Sequence, residues 1–408
     1  MSARTAMRQA TDDSLDFGAA RGAAAPGPAR VARDLRLDFF RGLSLFFIFI
    51  DHIPENLLAY FTLHSIAFCD AAEVFIFISG YTAALVYGQS LARNGPLLAI
   101  AQVYRRVWQL YVAHIFLFVI FVAEVSYTLI AAQNPMYAEE LRVGDFLQEP
   151  HVAVIRALLL NFQPPFLDIL PLYIVLLGIF PLILLGLALH PLLPGVVSAV
   201  IYGLALHNGW AFHTHPAEQE WYFNPLAWQF LFVIGASFGY LRATGRVLPP
   251  LPRWAARVAV ALAVAIAVIN LTWMLHWVYD PSPPIFHQLW PYTVDKTNLA
   301  PVRLLSFLLL AVATLYFVPR SSPLLASRAA RPIILCGQNS LYIFCLGIVL
   351  SVLGHFALSA SSGGILVQAA VNAVGVAAMI AMAALLQWFK TATRRAQAAR
   401  SAPAIPSE

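Results

Sequence analysis

Residues 37–52 read Leu37-Asp38-Phe39-Phe40-Arg41-Gly42-Leu43-Ser44-Leu45-Phe46-Phe47-Ile48-Phe49-Ile50-Asp51-His52. An apolar run of this kind, carrying Arg41 near one end and His52 near the other, places a cation and a titratable base on one membrane helix. The two residues have ten others between them. That step turns an α-helix by about 1100°, roughly 20° past three full turns, and advances it by about 16 Å. Both side chains therefore share a stripe at different membrane depths. Ionisable groups at such depth are costly, so each is a candidate functional residue.

The rest of the chain extends the same reading. Of 408 residues 60% are hydrophobic and 11% charged, and the mean hydropathy is +0.73, a balance that excludes an ordinary soluble domain. Apolar runs of spanning length lie near 40–60, 71–90, 108–131, 166–189, 192–207, 225–241, 256–278, 302–318, 338–357 and 364–389. The expected fold is all-α: a polytopic membrane helical bundle with about ten transmembrane helices. The fifth run is the weakest, because His190-Pro191-Leu192-Leu193-Pro194 breaks it tightly from the fourth.

With the N-terminus in the cytoplasm, every Lys and Arg except Arg142, Arg156, Lys296 and Arg303 falls on the cytoplasmic side. The positive-inside rule predicts such a split for an even number of spans, with both termini cytoplasmic. The net charge of +5 is thus topology information, and no nucleic-acid partner is expected. Residues 1–33, rich in Ala, Gly, Pro and Arg, are expected to form a disordered cytoplasmic tail. Residues 34–390 form the membrane domain, and 391–408 a basic cytoplasmic tail. No cleavable signal peptide is visible, since the first apolar segment is full length and carries charge. Cys69, Cys336 and Cys345 have neither metal spacing nor a disulfide pattern. There is no internal repeat of the kind that marks many transporters.

Pro54 interrupts the first span, which reads as Leu37 to about Tyr60 with a kink just beyond His52. A neutral imidazole in the outer half of a bilayer can take a proton from a hydroxyl group. The plainer reading is that His52 satisfies an interhelical hydrogen bond while Arg41 snorkels and pairs with Asp38. Asp70-Ala71-Ala72-Glu73 opens the second span. It approximates a capping box, or else Asp51, Asp70 and Glu73 gather around His52 and one of them orients it or assists proton transfer. Ser79-Gly80 reads as a close helix-packing point. Arg36, Arg41, Arg105 and Arg106 together would make a cytoplasmic anion site able to hold a phosphate-bearing donor such as a coenzyme A thioester. Each is equally readable as an ordinary flanking anchor.

Two outward loops carry aromatic residues. Asn208 to Asn224 holds Trp210, His213, His215, Trp221 and Tyr222, and Tyr279 to Thr297 holds Trp290 and Tyr292. They read as an interfacial aromatic belt or as a sugar-binding cleft using Trp210 and Trp221. His213 and His215 lack a third partner, so no metal is expected.

The stretches Arg33-Asp34-Leu35-Arg36-Leu37-Asp38-Phe39-Phe40-Arg41-Gly42, Phe49-Ile50-Asp51-His52-Ile53-Pro54 and Asp70-Ala71-Ala72-Glu73-Val74-Phe75-Ile76-Phe77-Ile78-Ser79-Gly80-Tyr81 resemble the OpgC family. Its members are membrane proteins associated with succinyl substitution of osmoregulated periplasmic glucans. The wider acyltransferase family 3 proteins carry an Arg and a His separated by ten residues in the first span, and Arg41 and His52 match that pattern. Gln109-Leu110-Tyr111-Val112-Ala113-His114 and Gly337-Gln338-Asn339-Ser340-Leu341 extend the likeness. In one departure, Cys345 stands near where a His often follows the Ser-Leu-Tyr element.

The resemblance implies an inner-membrane O-acyltransferase moving a succinyl group from a cytoplasmic acyl-coenzyme A to hydroxyls of a periplasmic glucan. Arg41 with Arg36, Arg105 or Arg106 would hold the donor, and His52, with Asp51 or Glu73, would activate the acceptor. No permanently bound cofactor is expected. Membrane lipid, the glucan and glucan-synthesis proteins are the expected partners. Two other classes fit the same residues: a transporter of an acyl donor or anionic metabolite, and a non-catalytic subunit of a glucan-synthesis complex. A carboxylate-bearing acyl group would need a cation near its free end, for which Arg142, Arg156, Lys296 and Arg303 are the outward candidates.

Overall fold

A computed structural model describes residues 33–132, 146, 149–215, 219–246, 249–279, 295–361 and 363–401. The expected N-terminal tail, apart from Arg33, lies outside them, as do Arg142, Trp290, Tyr292 and residues 402–408. The regular secondary structure among the described residues is helical, with one isolated β-bridge between His213 and Glu220. Among the described residues, six helices are long and apolar enough to cross a membrane, and two more are apolar but shorter. The chain is a multi-pass membrane protein.

Helix α1 (Leu35–Asp51) starts where the Asp34 carboxylate accepts the Arg36 backbone N–H and ends with His52 as its C-cap. The expected continuation to Tyr60 is absent. Proline disfavours helical backbone in the residue before it, and beyond Pro54 the chain adopts a left-handed turn at Glu55 (φ 57°) and two 3₁₀ turns, Leu57–Phe61 and Leu63–Ser65. His52 thus sits at a helix terminus, its backbone N–H still donating to the Ile48 carbonyl at 3.1 Å. Helix α2 (Ala71–Ala132) is two helices joined without a loop. Gly95 takes φ 79°, a conformation suited to glycine, and Pro96 then starts the second half.

The remaining helices are α3 (Pro150–Leu158), α4 (Ile169–Leu189), α5 (Leu193–Asn208), α6 (Pro225–Ala243), α7 (Arg253–Tyr279) and α8 (Pro301–Phe317). They are followed by α9 (Pro323–Ala326), α10 (Ala330–Gln338), α11 (Ser340–Ser359) and α12 (Ile365–Ser401). Helix α12 runs eleven residues into the segment expected as a basic tail, so Arg394 and Arg395 extend it as helix.

Small residues let the central helices touch at the backbone. A Cβ on Gly80 would lie 2.1 Å from the Phe232 carbonyl oxygen, and one on Gly235 would lie 2.2 Å from that of Phe77. Helices α2 and α6 therefore meet with no room for a methyl group, the packing mode that substitutes for a hydrophobic driving force in lipid. Gly42 of α1 and Gly337 of α10 make the same kind of contact. Helix α1 is thereby fixed between α2 and α10, and its polar stripe faces inward.

Candidate active site

Arg41 of helix α1 and His52 at its C-cap line two different cavities. The first, about 220 Å³, is lined by Arg41, Arg106, Tyr87, Tyr173 and the hydroxyls of Ser79, Thr82 and Ser340. The Arg41 Nη2 donates to Thr82 Oγ1 at 2.8 Å and to the Ile78 carbonyl at 3.2 Å. One edge of the guanidinium is therefore fixed against α2 and the rest is open to the cavity. Arg106 comes from the second half of α2, so the fold at Gly95 is what brings the two cations to one site. Two guanidinium groups ringed by hydroxyl donors suit a multiply charged anion.

The other expected cations go elsewhere. Arg36 pairs with Asp34 at 2.9 Å and donates to the Val318 carbonyl at 3.2 Å, while Arg242 and Arg320 each reach the same carboxylate at 3.1 Å. Burial opposes the charge on Asp34, but the bonds and charge of Arg36, with Arg242 behind it, hold this carboxyl at about 2. This is a clasp between helix ends. Arg105 is exposed and lines neither cavity. Asp38, the expected partner of Arg41, is taken by Arg33 through two bonds of 2.6 and 2.9 Å.

The second cavity, about 450 Å³, is lined by His52, Asp51, His64, Asp70, Asp168, Gln163, Lys296 and the rings of Phe166, Tyr222 and Phe223. His52 Nδ1 lies 2.5 Å from the Ile48 carbonyl oxygen. A carbonyl can only accept, so Nδ1 carries the proton and Nε2 presents its lone pair. The ring is steadied edge to face by Phe166, at 4.9 Å between centroids. Phe166 holds φ 74°, a conformation costing about 1–3 kcal/mol in a non-glycine residue. Strain is thus spent at the residue that orients the candidate base.

Asp51 and Glu73 do not orient His52. The Asp51 carboxylate accepts Thr62 Oγ1 at 2.7 Å and lies 3.4 Å from His64 Nδ1. Glu73 is fully buried and absent from the cavity wall. It accepts the Asp70 backbone N–H at 2.8 Å, while Asp70 accepts that of Ala72 at 2.8 Å, which completes the capping box. Its second oxygen pairs with Arg303 at 2.7 Å. Asp70 joins Arg303, at 3.2 Å, to Lys296, at 2.7 Å.

Lys296 is the cation of the second cavity. Its loop is pinned by Trp228 Nε1, which donates to the Lys296 and Thr297 carbonyls at 3.0 and 3.2 Å. Burial disfavours the ammonium, yet Asp70 outweighs it and raises Lys296 above the usual lysine range. The ammonium also lies 5.5 Å from the centre of the Tyr222 ring and 5.4 Å from that of Phe223. Of the four cations expected on the outward side, Lys296 lines this cavity, and Arg303 is committed to Glu73 and Asp70.

The two tryptophans expected in a sugar-binding cleft do not line this cavity. Trp221 is buried against Phe212, at 5.6 Å between ring centres, and Trp210 is half exposed outside the cavity wall. Their neighbours Tyr222 and Phe223 line it instead. His64 and Phe166 carry no chemical signal in the sequence, since they sit in a 3₁₀ turn and a loop, and Phe344 belongs to the stretch Phe344-Cys345-Leu346-Gly347 that shares the family likeness without marking a role for it. Cys345 is partly buried on α11 and lines neither cavity.

No curated protein and no solved structure compared with the chain matches it. A family model described as OpgC protein matches residues 33–391, which include both cavities and all of α1. The chain belongs to the OpgC family.

Proposed function

We propose that this protein is an inner-membrane O-acyltransferase that moves an acyl group, with succinyl as the expected one, from a cytoplasmic acyl-coenzyme A to a hydroxyl of a periplasmic glucan. Family membership supports a role in glucan modification. Dividing α2 at Gly95 and adding α1, α5 and α8 to the long apolar helices makes ten spans, with both termini cytoplasmic. The Arg41 cavity then faces the cytoplasm and the His52 cavity the periplasm.

The observation that carries the reading is the contact of His52 Nδ1 with the Ile48 carbonyl oxygen at 2.5 Å, in a residue that lines the larger cavity. A ring with Nδ1–H held by a carbonyl and Nε2 open to a polar cavity is prepared to act as a base. In the reaction, Nε2 takes the proton of a glucan hydroxyl as its oxygen bonds to the thioester carbonyl carbon. The carbon–sulfur bond then breaks and the imidazolium returns the proton to the leaving sulfur, giving the ester and free coenzyme A. Arg41 and Arg106 bind the donor phosphates. Lys296 lies on the acceptor side, where a free acyl carboxylate would meet it.

Purified protein in lipid, given labelled succinyl-coenzyme A and glucan, tests this directly. Label should appear on the glucan with the wild type and be lost with His52→Gln. Two chambers on one polar stripe also suit a transporter. Movement of intact donor across the bilayer without glucan labelling would favour that reading and exclude ours.

A further inference from the structure

The two cavities are one side chain apart. Among the described residues Phe344 alone lines both of them. Elsewhere each helix passes from one wall to the other: Ile169 of α4 faces the His52 cavity and Leu170 the Arg41 cavity, and on α1 Ile48 faces the former and Arg41 the latter. On α2, Ala71 and Ala72 face the His52 cavity and Phe75 the Arg41 cavity, a separation of about 4.5 Å along the axis from Ala72 to Phe75. The partition is therefore a single layer made by Phe75, Leu170 and Phe344. Its rings pack against one another, with Phe344 and Phe75 at 6.2 Å and Phe75 and Tyr173 at 6.1 Å between centroids.

We propose that Phe344 is the gate between donor and acceptor chambers, and that it sets which acyl arms reach His52. The inference rests on the function proposed above and names the residue that governs its specificity. Arg41 and His52 stand about 16 Å apart along α1, so an acyl group anchored through phosphates at one must cross this layer to react at the other. A phenyl ring has few degrees of freedom and swings as a unit about its first two torsions. A slender linear arm can displace it, whereas an open channel here would join the two faces of the membrane through water. The gate thus keeps donor and water apart until an arm fills the gap.

Affinity and turnover test this separately in the full-length protein in lipid. Binding of acetyl-, butyryl-, hexanoyl- and decanoyl-coenzyme A is measured for wild type, Phe344→Leu, Phe344→Ala and Phe344→Trp. In a closed chamber the gain of about fourfold per methylene expected for apolar burial stops once the arm meets the partition. It should continue to longer chains in Phe344→Ala, with Phe344→Leu intermediate and guarding against misfolding of the smaller variant. Phe344→Trp should bind acetyl-coenzyme A as the wild type does but transfer acyl groups slower by about 100-fold, the scale on which misplacing reactants acts. Superimposable chain-length series for wild type and Phe344→Ala would overturn the gate, with or without catalysis. Absence of transfer by the wild type would instead overturn the proposed function, and the chain-length series would still decide the gate.

Discussion

The Ile48 carbonyl, one helical turn before His52, accepts the imidazole Nδ1–H at 2.5 Å, and the ring that it holds lines the larger cavity. Helix α1 ends one residue earlier, at Asp51, and the ring bonds back onto the helix's last turn. General bases contribute about 10²–10⁴-fold to rate. His52→Gln should therefore lower glucan acylation by that factor while leaving the donor KM unchanged. Rates with purified protein, beside a thermal melt to confirm the fold, check this. Full activity would remove His52 from the mechanism.

The arginines divide into two functional groups by geometry alone. Arg41 and Arg106 line the smaller cavity, and Arg36 is bonded to Asp34. Hydrogen bonds to charged groups are worth about 1.5–3 kcal/mol, so Arg41→Met or Arg106→Met should raise the donor Kd by about 10- to 100-fold. Arg36→Met should leave it within about twofold, because changes at sites without shared partners act independently. Isothermal titration with coenzyme A distinguishes these outcomes, and an equal loss in all three variants would contradict the assignment.

Glu73 shows how a residue singled out for chemistry is explained by packing. It is 0% exposed, closes the capping box of α2 and pairs with Arg303 across 230 residues of chain. Removing one partner of a buried pair costs about 3–5 kcal/mol when the other charge is left without compensation, and Asp70 alone, at 3.2 Å, would remain to offset Arg303. Glu73→Ala should lower the melting temperature sharply and reduce the yield of folded protein. Glu73→Ala combined with Arg303→Met should recover part of that loss, which a double-mutant cycle measures. No recovery would mean that the two do not act as a pair.

The division between what sequence reveals and what it hides follows the range of the interactions. Apolar runs, the Gly80 contact and the spacing of Arg41 and His52 are local patterns, and they locate the helices and the stripe that faces inward. The end of α1 at Asp51 was misread because Pro54 alone suggests a kink, whereas the break is completed by Glu55 and the 3₁₀ turns beyond it. Choosing Arg106 over Arg36 needs the fold: Asp34 draws in Arg242 and Arg320, 208 and 286 residues away. Lys296 becomes a cavity residue through Trp228 and Asp70, neither of which marks it in the sequence. Phe344 reads as one more apolar residue until two cavities are seen to share it.

Asp51 decides between two ways of orienting a catalytic histidine. Where a carboxylate holds the imidazole, replacing it by an amide costs about 10⁴ in turnover, since the wrong tautomer is then favoured. Here the Ile48 carbonyl performs that task, and Asp51 instead accepts from Thr62 at 2.7 Å beside His64. Asp51→Asn keeps an acceptor oxygen for Thr62 and leaves the His52 hydrogen bond intact. The expected loss in turnover is under about tenfold, the scale of one hydrogen bond outside the reacting groups. A fall near 10⁴ with the fold preserved would show that Asp51 moves to His52 when substrate is bound.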